Sequence, residues 1–294
     1  MKIVLGTDGS SFSESTEAVL TRFSGLTAAE VHVVSVYQTP QAIFAPITPS
    51  ADLMMAAEAA SLADVLQSVS EQRSNAAAAR LTSKGINAQA HAECGETAGA
   101  LIDIANASGA DLIMAGSKGE GALKGFLLGS VARNLAANSP VSVLLSRETK
   151  NEGGPSVLVA YDGSDGAKAA LEFVPKLGHI ETITVVCCSP LSPLPPSLEP
   201  DLYELFIRED KERANNLASE GADVLRGAAN RIVAERKSGR PAESIVEEAD
   251  RINCDLVVIG ASKHGFLERM ILGSVAYEVA TNAPCSVLIV RPKA

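Results

Sequence analysis

Two glycine-rich segments of this chain carry the residue types that bind phosphate groups. The first reads Asp111-Leu-Ile-Met-Ala-Gly116-Ser-Lys-Gly119 and, after nine further residues, Gly129-Ser-Val. Glycines leave backbone amides uncovered, and the start of a helix adds free N–H groups and the positive end of its dipole. A strand that runs through Gly-Ser into a helix therefore predicts a cradle for the phosphates of a nucleotide.

Individual residues of this segment have more than one interpretation. Gly116 and Gly119 can take positive φ and expose amides to an anion, but Gly-x-x-Gly also occurs in ordinary turns. Ser130 can cap the following helix or hydrogen-bond a phosphate. Lys118 would add a positive charge to the site, or lie in solvent.

Two more residues lie where the first two predicted strands end. Asp8 follows the first strand, and its carboxylate is an acceptor suited to a ribose hydroxyl or an adenine amino group. The alternative is that Asp8-Gly-Ser caps a helix. Val36 ends the second strand and could offer backbone groups to the edge of a base.

The glycine-rich segment is repeated in the second half with one departure. It reads Asp255-Leu-Val-Val-Ile-Gly260-Ala-Ser-Lys263-His-Gly265 and reaches Gly273-Ser274-Val, a shift of 144 for both Gly116 and Gly129; Asp8-Gly-Ser recurs at Asp162. Lys263 stands where the second glycine belongs, and Gly265 comes two residues later. If that position needs positive φ, a lysine costs on the order of 1 kcal/mol, so the second site is predicted to be weaker.

Strands alternate with helices in both halves, which predicts parallel sheets with right-handed crossovers. The predicted strands are 2–5, 31–36, 86–92, 112–115 and 141–145, then 157–160, 182–187, 231–235, 256–259 and 287–290. The predicted helices are 11–23, 51–83, 97–108 and 130–137, then 165–177, 201–227, 241–252 and 274–281. Ligands of such sheets bind at the carboxyl ends of strands, which would bring Asp8 beside Gly116.

The repeat divides the chain into residues 1–148, a polar linker 149–155 and residues 156–294. The linker ends in Gly153-Gly154-Pro155, as is usual between domains. Length and composition agree with two domains of ordinary size, since the chain has 294 residues of which 46% are hydrophobic. The predicted fold class is α/β, with two tandem Rossmann-like domains.

Composition argues against several classes of partner. A formal charge of −10 without a basic block disfavours nucleic acid. No apolar stretch reaches the length that spans a bilayer, and the apolar start at Met1 is too short for a secretory signal. Five cysteines without Cys-x-x-Cys spacing or a paired framework indicate a reducing cytosol.

Motifs of the common catalytic classes are missing from the sequence. There is no Gly-x-x-x-x-Gly-Lys-Ser/Thr loop and no Cys/His cluster with metal spacing. Neither glycine-rich segment places a nucleophile beside a base in a known motif. The sequence therefore predicts a binding protein rather than an enzyme.

These residues together resemble the universal stress protein family. Its motif, Gly-x-x-Gly followed after nine residues by Gly-Ser/Thr, matches Gly116, Gly119, Gly129 and Ser130. The early Asp-Gly-Ser and the Leu-Leu-Gly-Ser-Val before the last helix are also typical of the family. The resemblance covers nearly the whole chain, once per half, and implies a five-stranded parallel sheet in each.

The resemblance also implies a ligand and site residues. Members that keep the glycine motif bind ATP, which implies ATP as the ligand of this chain, alone or with Mg²⁺. The residues implied for adenosine are Thr7, Asp8 and Val36, and those for ribose and phosphates are Gly116, Lys118, Gly119, Gly129, Ser130 and Val131. The weaker second site would use Asp162, Gly260, Lys263, Gly265, Gly273 and Ser274.

Family domains dimerise through the last strand, which a tandem chain could achieve internally by placing 141–145 beside 287–290. A homodimer of the whole chain is a further expectation. The function expected is that of a cytoplasmic, ATP-binding regulator in a stress or energy response. The alternatives are a slow ATPase or adenylate-handling enzyme on the same fold, and a regulator that has lost its ligand and acts by protein contact.

Overall fold

The fold is taken from a computed structural model that describes residues 1–39, 53–118, 128–148, 151–189, 200–261 and 272–292. It contains ten strands: β1 (Lys2–Gly6), β2 (Glu30–Tyr37), β3 (Asn87–Cys94), β4 (Leu112–Gly116), β5 (Ser142–Ser146), β6 (Ser156–Ala160), β7 (Ile180–Ser189), β8 (Ala229–Ser238), β9 (Leu256–Gly260) and β10 (Ser286–Val290). The helices are α1 (Ser11–Arg22), α2 (Ser24–Thr27), α3 (Leu53–Ser83), α4 (Thr97–Ser108), α5 (Ser130–Asn138), α6 (Asp165–Phe173), α7 (Pro200–Val224), α8 (Pro241–Arg251) and α9 (Ser274–Asn282).

Each half has five parallel strands, as the sequence predicts. The order is β3-β2-β1-β4-β5 in the first half and β10-β9-β6-β7-β8 in the second. The central strands are buried on both faces, which explains why they read as continuous apolar runs rather than alternating ones. Each half is therefore a Rossmann-like α/β unit.

Helices cover both faces of the sheet. One apolar layer packs residues of α1, α2, α3 and α6 against the strands, and the opposite layer packs residues of α4, α5, α8 and α9. Both layers continue from the first half into the second. No helix in the described part of the chain is long and apolar enough to cross a membrane.

Some predicted helix limits were wrong for local reasons. The helix predicted over 11–23 ends at Arg22, and α2 follows as a separate short turn. The helix predicted over 165–177 ends at Phe173 and continues as a 3₁₀ turn, Val174–Leu177. Pro175 lies at the start of that turn, where its missing N–H interrupts the α-helical hydrogen bonds.

The two halves join through antiparallel pairing of β5 with β10, in which Val287 pairs with Leu145 and Ile289 with Val143. All ten strands thus form one sheet. Because β5 and β10 are the last strands of their halves, the junction has approximate two-fold symmetry.

Two arginines cross this junction in a reciprocal way. Arg147 follows β5 and donates to the carbonyl oxygens of Ala280 (2.6 Å) and Cys285 (3.2 Å) in the second half. Arg291 follows β10 and donates to the carbonyl of Ala136 (2.7 Å) in the first half. Each guanidinium therefore binds the carboxyl end of a helix in the other half, where free carbonyls and the helix dipole favour a cation. Burial lowers the pKa of both groups.

Candidate functional site

The reversal of strand order in the first half creates a crevice at the carboxyl ends of β1 and β4. After β1 the chain moves outward to β2 and β3, then returns to β4 on the other side of β1. A cavity of about 200 Å³ lies there. This is where open α/β sheets bind ligands.

Most of the predicted first-site residues line this cavity. Its walls include Thr7, Asp8, Val36, Gly116, Lys118, Gly129, Ser130 and Val131. Gly119 lies outside the described residues. The topology therefore brings together segments that are more than a hundred residues apart in the chain.

The Asp8-Gly-Ser turn fixes the end of β1. Asp8 Oδ1 accepts from the backbone N (2.9 Å) and the hydroxyl (2.5 Å) of Ser10. Gly9 between them has a φ of +76°, a conformation that favours glycine. Ser10 is the N-cap of α1 and accepts from Ser13 N. The cap is therefore Ser10, while Asp8 closes the turn at the edge of the cavity.

The backbone decides between the alternatives at two residues of the glycine segment. Gly116 is not among the described glycines with positive φ, because it is the last residue of extended β4. A Cβ at Gly116 would lie only 2.9 Å from the carbonyl oxygen of Lys118, so close backbone approach is what requires glycine. Ser130 does not cap α5, because Gly129 occupies the N-cap position.

The start of α5 is suited to an anion. The N-cap residue Gly129 has no side chain to cap this helix, and the first intrahelical bond runs from Arg133 N to Gly129 O (2.9 Å). The amides of Ser130 and Val131 precede that bond, and both residues line the cavity. Gly129 is held in place by its own N–H, which donates to Ser117 O (2.9 Å).

The sequence did not identify the wall that α4 contributes. Thr97 and Leu101, from the first turns of α4, line the cavity, and Val34 of β2 lies beside them. Glu96 caps α4 by accepting from Ala98 N (3.1 Å) and Gly99 N (2.7 Å). The sequence did contain a clue to this wall. The predicted strand that became β3 is parallel to β1 and β2, so it ends at the same edge of the sheet, and α4 follows it there.

The second half contains a larger cavity, of about 520 Å³, at the equivalent edge. Of the predicted second-site residues, Asp162, Gly260, Gly273 and Ser274 line it. Lys263 and Gly265 lie outside the described residues. Gly260 is required by a close approach to α6, because a Cβ there would lie 2.1 Å from the backbone of Gly166.

Equivalent backbone hydrogen bonds show how the second cavity differs. Thr7 N donates to Val34 O, and Tyr161 N donates to Val186 O, so Tyr161 occupies the position of Thr7. The Tyr161 hydroxyl donates to Glu220 Oε1 at 2.8 Å. Burial, followed by that hydrogen bond, raises the pKa of Tyr161 to about 12, and the hydroxyl stays protonated at neutral pH.

Comparison with known proteins agrees with this architecture. The sequence model of the universal stress protein family matches residues 1–147 and again residues 155–291. The chain belongs to the universal stress protein family. It is a tandem member, with one family unit on each side of the junction.

Individual universal stress proteins are similar to one half or to the whole chain. A protein of Thermus aquaticus is 34% identical over 136 residues, which cover 46% of this chain and 98% of that protein. One of Methanocaldococcus jannaschii is 33% identical over 140 residues, 46% of this chain and 81% of its own length. The crystal structure of a universal stress protein from Archaeoglobus fulgidus covers 99% of this chain and 98% of that one, with 24% identity and a TM-score of 0.62.

Proposed function

We propose that the first half binds ATP and that the chain acts as a nucleotide-responsive regulator in a stress or energy response. The observation that carries the proposal is the start of α5, where the N-cap Gly129 places no side chain over the helix amides and which lines the same cavity as Asp8 and Lys118. Free helix amides favour phosphate, a carboxylate accepts hydrogen bonds from hydroxyl or amino groups, and a lysine adds positive charge. These three features suit the three parts of a nucleotide.

Different residues of the first cavity would hold the different parts of ATP. Thr7, Asp8 and Val36 would hold the adenosine, and the amides of Ser130 and Val131 would hold the phosphates. ATP would supply an exchangeable phosphate charge whose presence or absence a partner could recognise. Mg²⁺, where present, would bind through the phosphate oxygens. Among the described residues, no group of three or more His, Cys, Asp or Glu side chains could hold a metal.

The remaining parts of the proposal concern assembly and location. The β5–β10 junction would replace the dimer contact of single-domain relatives, and a second copy of the chain could add a homodimer. We place the protein in the cytoplasm, with a protein partner that receives the nucleotide signal.

The direct test is mass spectrometry of small molecules released when freshly purified protein is denatured. We expect an adenine nucleotide in stoichiometric or near-stoichiometric amount. Calorimetric titration of the nucleotide-free protein with ATP, ADP and AMP would then rank the ligands. A preparation that releases no nucleotide and shows no heat of binding with any of them would contradict the proposal.

Turnover of ATP is expected to be far below the roughly 10 per second that is typical of enzymes. Hydrolysis needs a positioned water and a group that activates it. Neither glycine-rich segment carries a known motif that would supply such a group. A phosphate-release assay on the purified chain measures the rate. Turnover in the typical enzyme range that is lost in Asp8→Ala would favour the alternative of an enzyme.

The two halves are expected to bind nucleotide unequally, with close to one tight nucleotide per chain. Lys263 replaces a motif glycine, and Tyr161 lines the second cavity at the position that Thr7 has in the first. Isothermal titration gives the stoichiometry, and Lys263→Gly should strengthen the weaker site. Two equal, tight sites in the unmodified chain would refute this prediction.

A further inference from the structure

Two cysteines of the second half lie side by side at the amino ends of β9 and β10, on the edge of the sheet opposite the second cavity. Cys254 directly precedes Asp255 before β9, and Cys285 directly precedes Ser286 at the start of β10. These strands are neighbours and pair Leu256 with Ser286, so the turns that lead into them are adjacent. The two Sγ atoms are 3.3 Å apart.

The backbone holds both thiols in these positions. Cys254 N donates to Ala249 O (3.1 Å), and Ser286 N donates to Asp255 O (3.3 Å). The carbonyl of Cys285 accepts from Arg147 across the junction (3.2 Å). A disulfide requires the sulfurs to approach from 3.3 Å to about 2.05 Å, which is a short movement.

The thiols are buried but lie beneath a small opening. Cys254 and Cys285 are each 4% exposed. A cavity of about 10 Å³ is formed by both cysteines with Glu148, Ala249, Asp250, Asn253 and Pro284. Because this volume is close to that needed by a single water molecule, the opening favours a small oxidant over a peptide thiol or a protein disulfide.

The thiol pair is a specific feature of the second half rather than of the repeated fold. Asp111 accepts from Lys2 N (3.1 Å), the first residue of β1, and Asp255 accepts from Ser156 N (2.8 Å), the first residue of β6. Asp111 and Asp255 are therefore equivalent positions in the two halves. By that alignment Cys254 corresponds to Ala110 and Cys285 to Val141. The first half therefore folds with two apolar side chains at these positions.

We propose that Cys254 and Cys285 form a reversible disulfide on oxidation by hydrogen peroxide. One sulfur attacks a peroxide oxygen, the O–O bond breaks, and the departing hydroxide takes the thiol proton to give water and a sulfenic acid. The second sulfur attacks the sulfenic sulfur, the S–O bond breaks, and a second water leaves with the remaining proton. Two thiols are oxidised and one peroxide is reduced to two waters. A dithiol reductant reverses the reaction once unfolding exposes the disulfide.

The proposed disulfide does not depend on nucleotide binding. The chain between its two cysteines nevertheless includes residues that line the second cavity. The chain between the two cysteines includes β9, the second glycine-rich segment and α9. A disulfide would therefore close a loop around the second cavity's glycine-rich segment, and disulfides stabilise a fold chiefly by restricting the unfolded chain. We expect a higher midpoint of thermal unfolding for the oxidised protein.

The rate of oxidation should increase with pH. The hydrogen bond between the two sulfurs, and then burial, raise the pKa of Cys254 well above its usual value. The negative charge of Asp255 also opposes a thiolate at Cys254. Two further carboxylates, Glu148 and Asp250, line the same cavity, and the Arg147 guanidinium lies against the carbonyl of Cys285. Because the thiolate is the nucleophile, reaction at neutral pH should be slow and should accelerate in mildly alkaline buffer.

The test uses the full chain, treated with hydrogen peroxide, blocked with iodoacetamide under denaturing conditions, and mapped by mass spectrometry. We expect a linked pair of peptides containing Cys254 and Cys285 that dithiothreitol separates. The variants Cys254→Ala and Cys285→Val should abolish the link, and they place the first half's own residues at these positions. Cys94→Ser, which removes an exposed thiol, is the matched control and should leave the link intact.

Two results would overturn the proposal. In one, peroxide-treated wild-type protein has both cysteines fully alkylated while Cys94 is oxidised. In the other, Cys254 and Cys285 are oxidised separately to sulfinic acids without forming a link. Both results come from the unmodified chain, so they do not depend on whether a variant folds.

Discussion

Gly129→Val is expected to weaken ATP binding at least tenfold, which corresponds to about 1.4 kcal/mol. Gly129 is the N-cap of α5 and lines the first cavity beside Ser130 and Val131. Its φ of −62° is allowed for valine, so the substitution should leave the backbone in place. The branched side chain would occupy the space through which a phosphate reaches the helix amides. Calorimetric titration with ATP measures the effect, and circular dichroism checks the fold.

The chain supplies its own control for this experiment. Gly273 is the N-cap of α9 with a φ of −63°, and it lines the second cavity in the same way. Gly273→Val should therefore impose a similar cost on the fold while leaving the tight site intact. Unchanged affinity in Gly129→Val, with an intact fold, would show that the nucleotide binds elsewhere. Loss of affinity in Gly273→Val alone would assign the tight site to the second half.

Arg147→Met is expected to lower the free energy of unfolding by roughly 2–4 kcal/mol. The guanidinium binds the carbonyls of Ala280, Thr281 and Cys285, and methionine would leave these acceptors without that donor. Burial of the charge, which lowers the pKa of Arg147, offsets part of this stabilisation. Chemical denaturation followed by circular dichroism measures the loss.

Two further variants make this prediction specific. Arg291→Met should have an effect of similar size, because Arg291 makes the reciprocal contact with Ala136. Arg226→Met removes an exposed arginine that pairs with Asp223, and should change stability by about 0.5 kcal/mol or less. If Arg147→Met and Arg226→Met had the same free energy of unfolding, the contacts of Arg147 across the junction would not stabilise the fold.

The fold and most of the first cavity could be predicted because they depend on regular patterns. Apolar runs such as Leu112–Gly116 identify strands buried on both faces, and parallel topology then brings Asp8, Gly116 and Gly129 to one edge. The role of Ser130 was ambiguous in sequence because Gly and Ser both occur at N-caps. Only the backbone conformation assigned the cap to Gly129.

The contacts between distant elements could not be predicted in the same way. Arg147 and Arg291 follow apolar strands and look like ordinary surface arginines, because their partners are carbonyls of the other half. Cys254 and Cys285 are far apart in sequence and become neighbours through the pairing of β9 with β10. Such contacts depend on which distant segment of the chain packs against the residue, and the sequence around the residue does not indicate that segment.

The pairing of β5 with β10 within one chain has a consequence for how this protein responds to dilution and to mutation. Two separate subunits dissociate as their concentration falls, whereas tethered partners keep a constant effective concentration. The junction should therefore persist at any protein level in the cell. In a homodimer every substitution appears twice, but here it appears once, so one half can change while the other keeps its ligand. The two halves differ in this way where Tyr161 occupies the position of Thr7, and where the paired thiols occupy the positions of Ala110 and Val141. A homodimer of identical chains could not carry such differences.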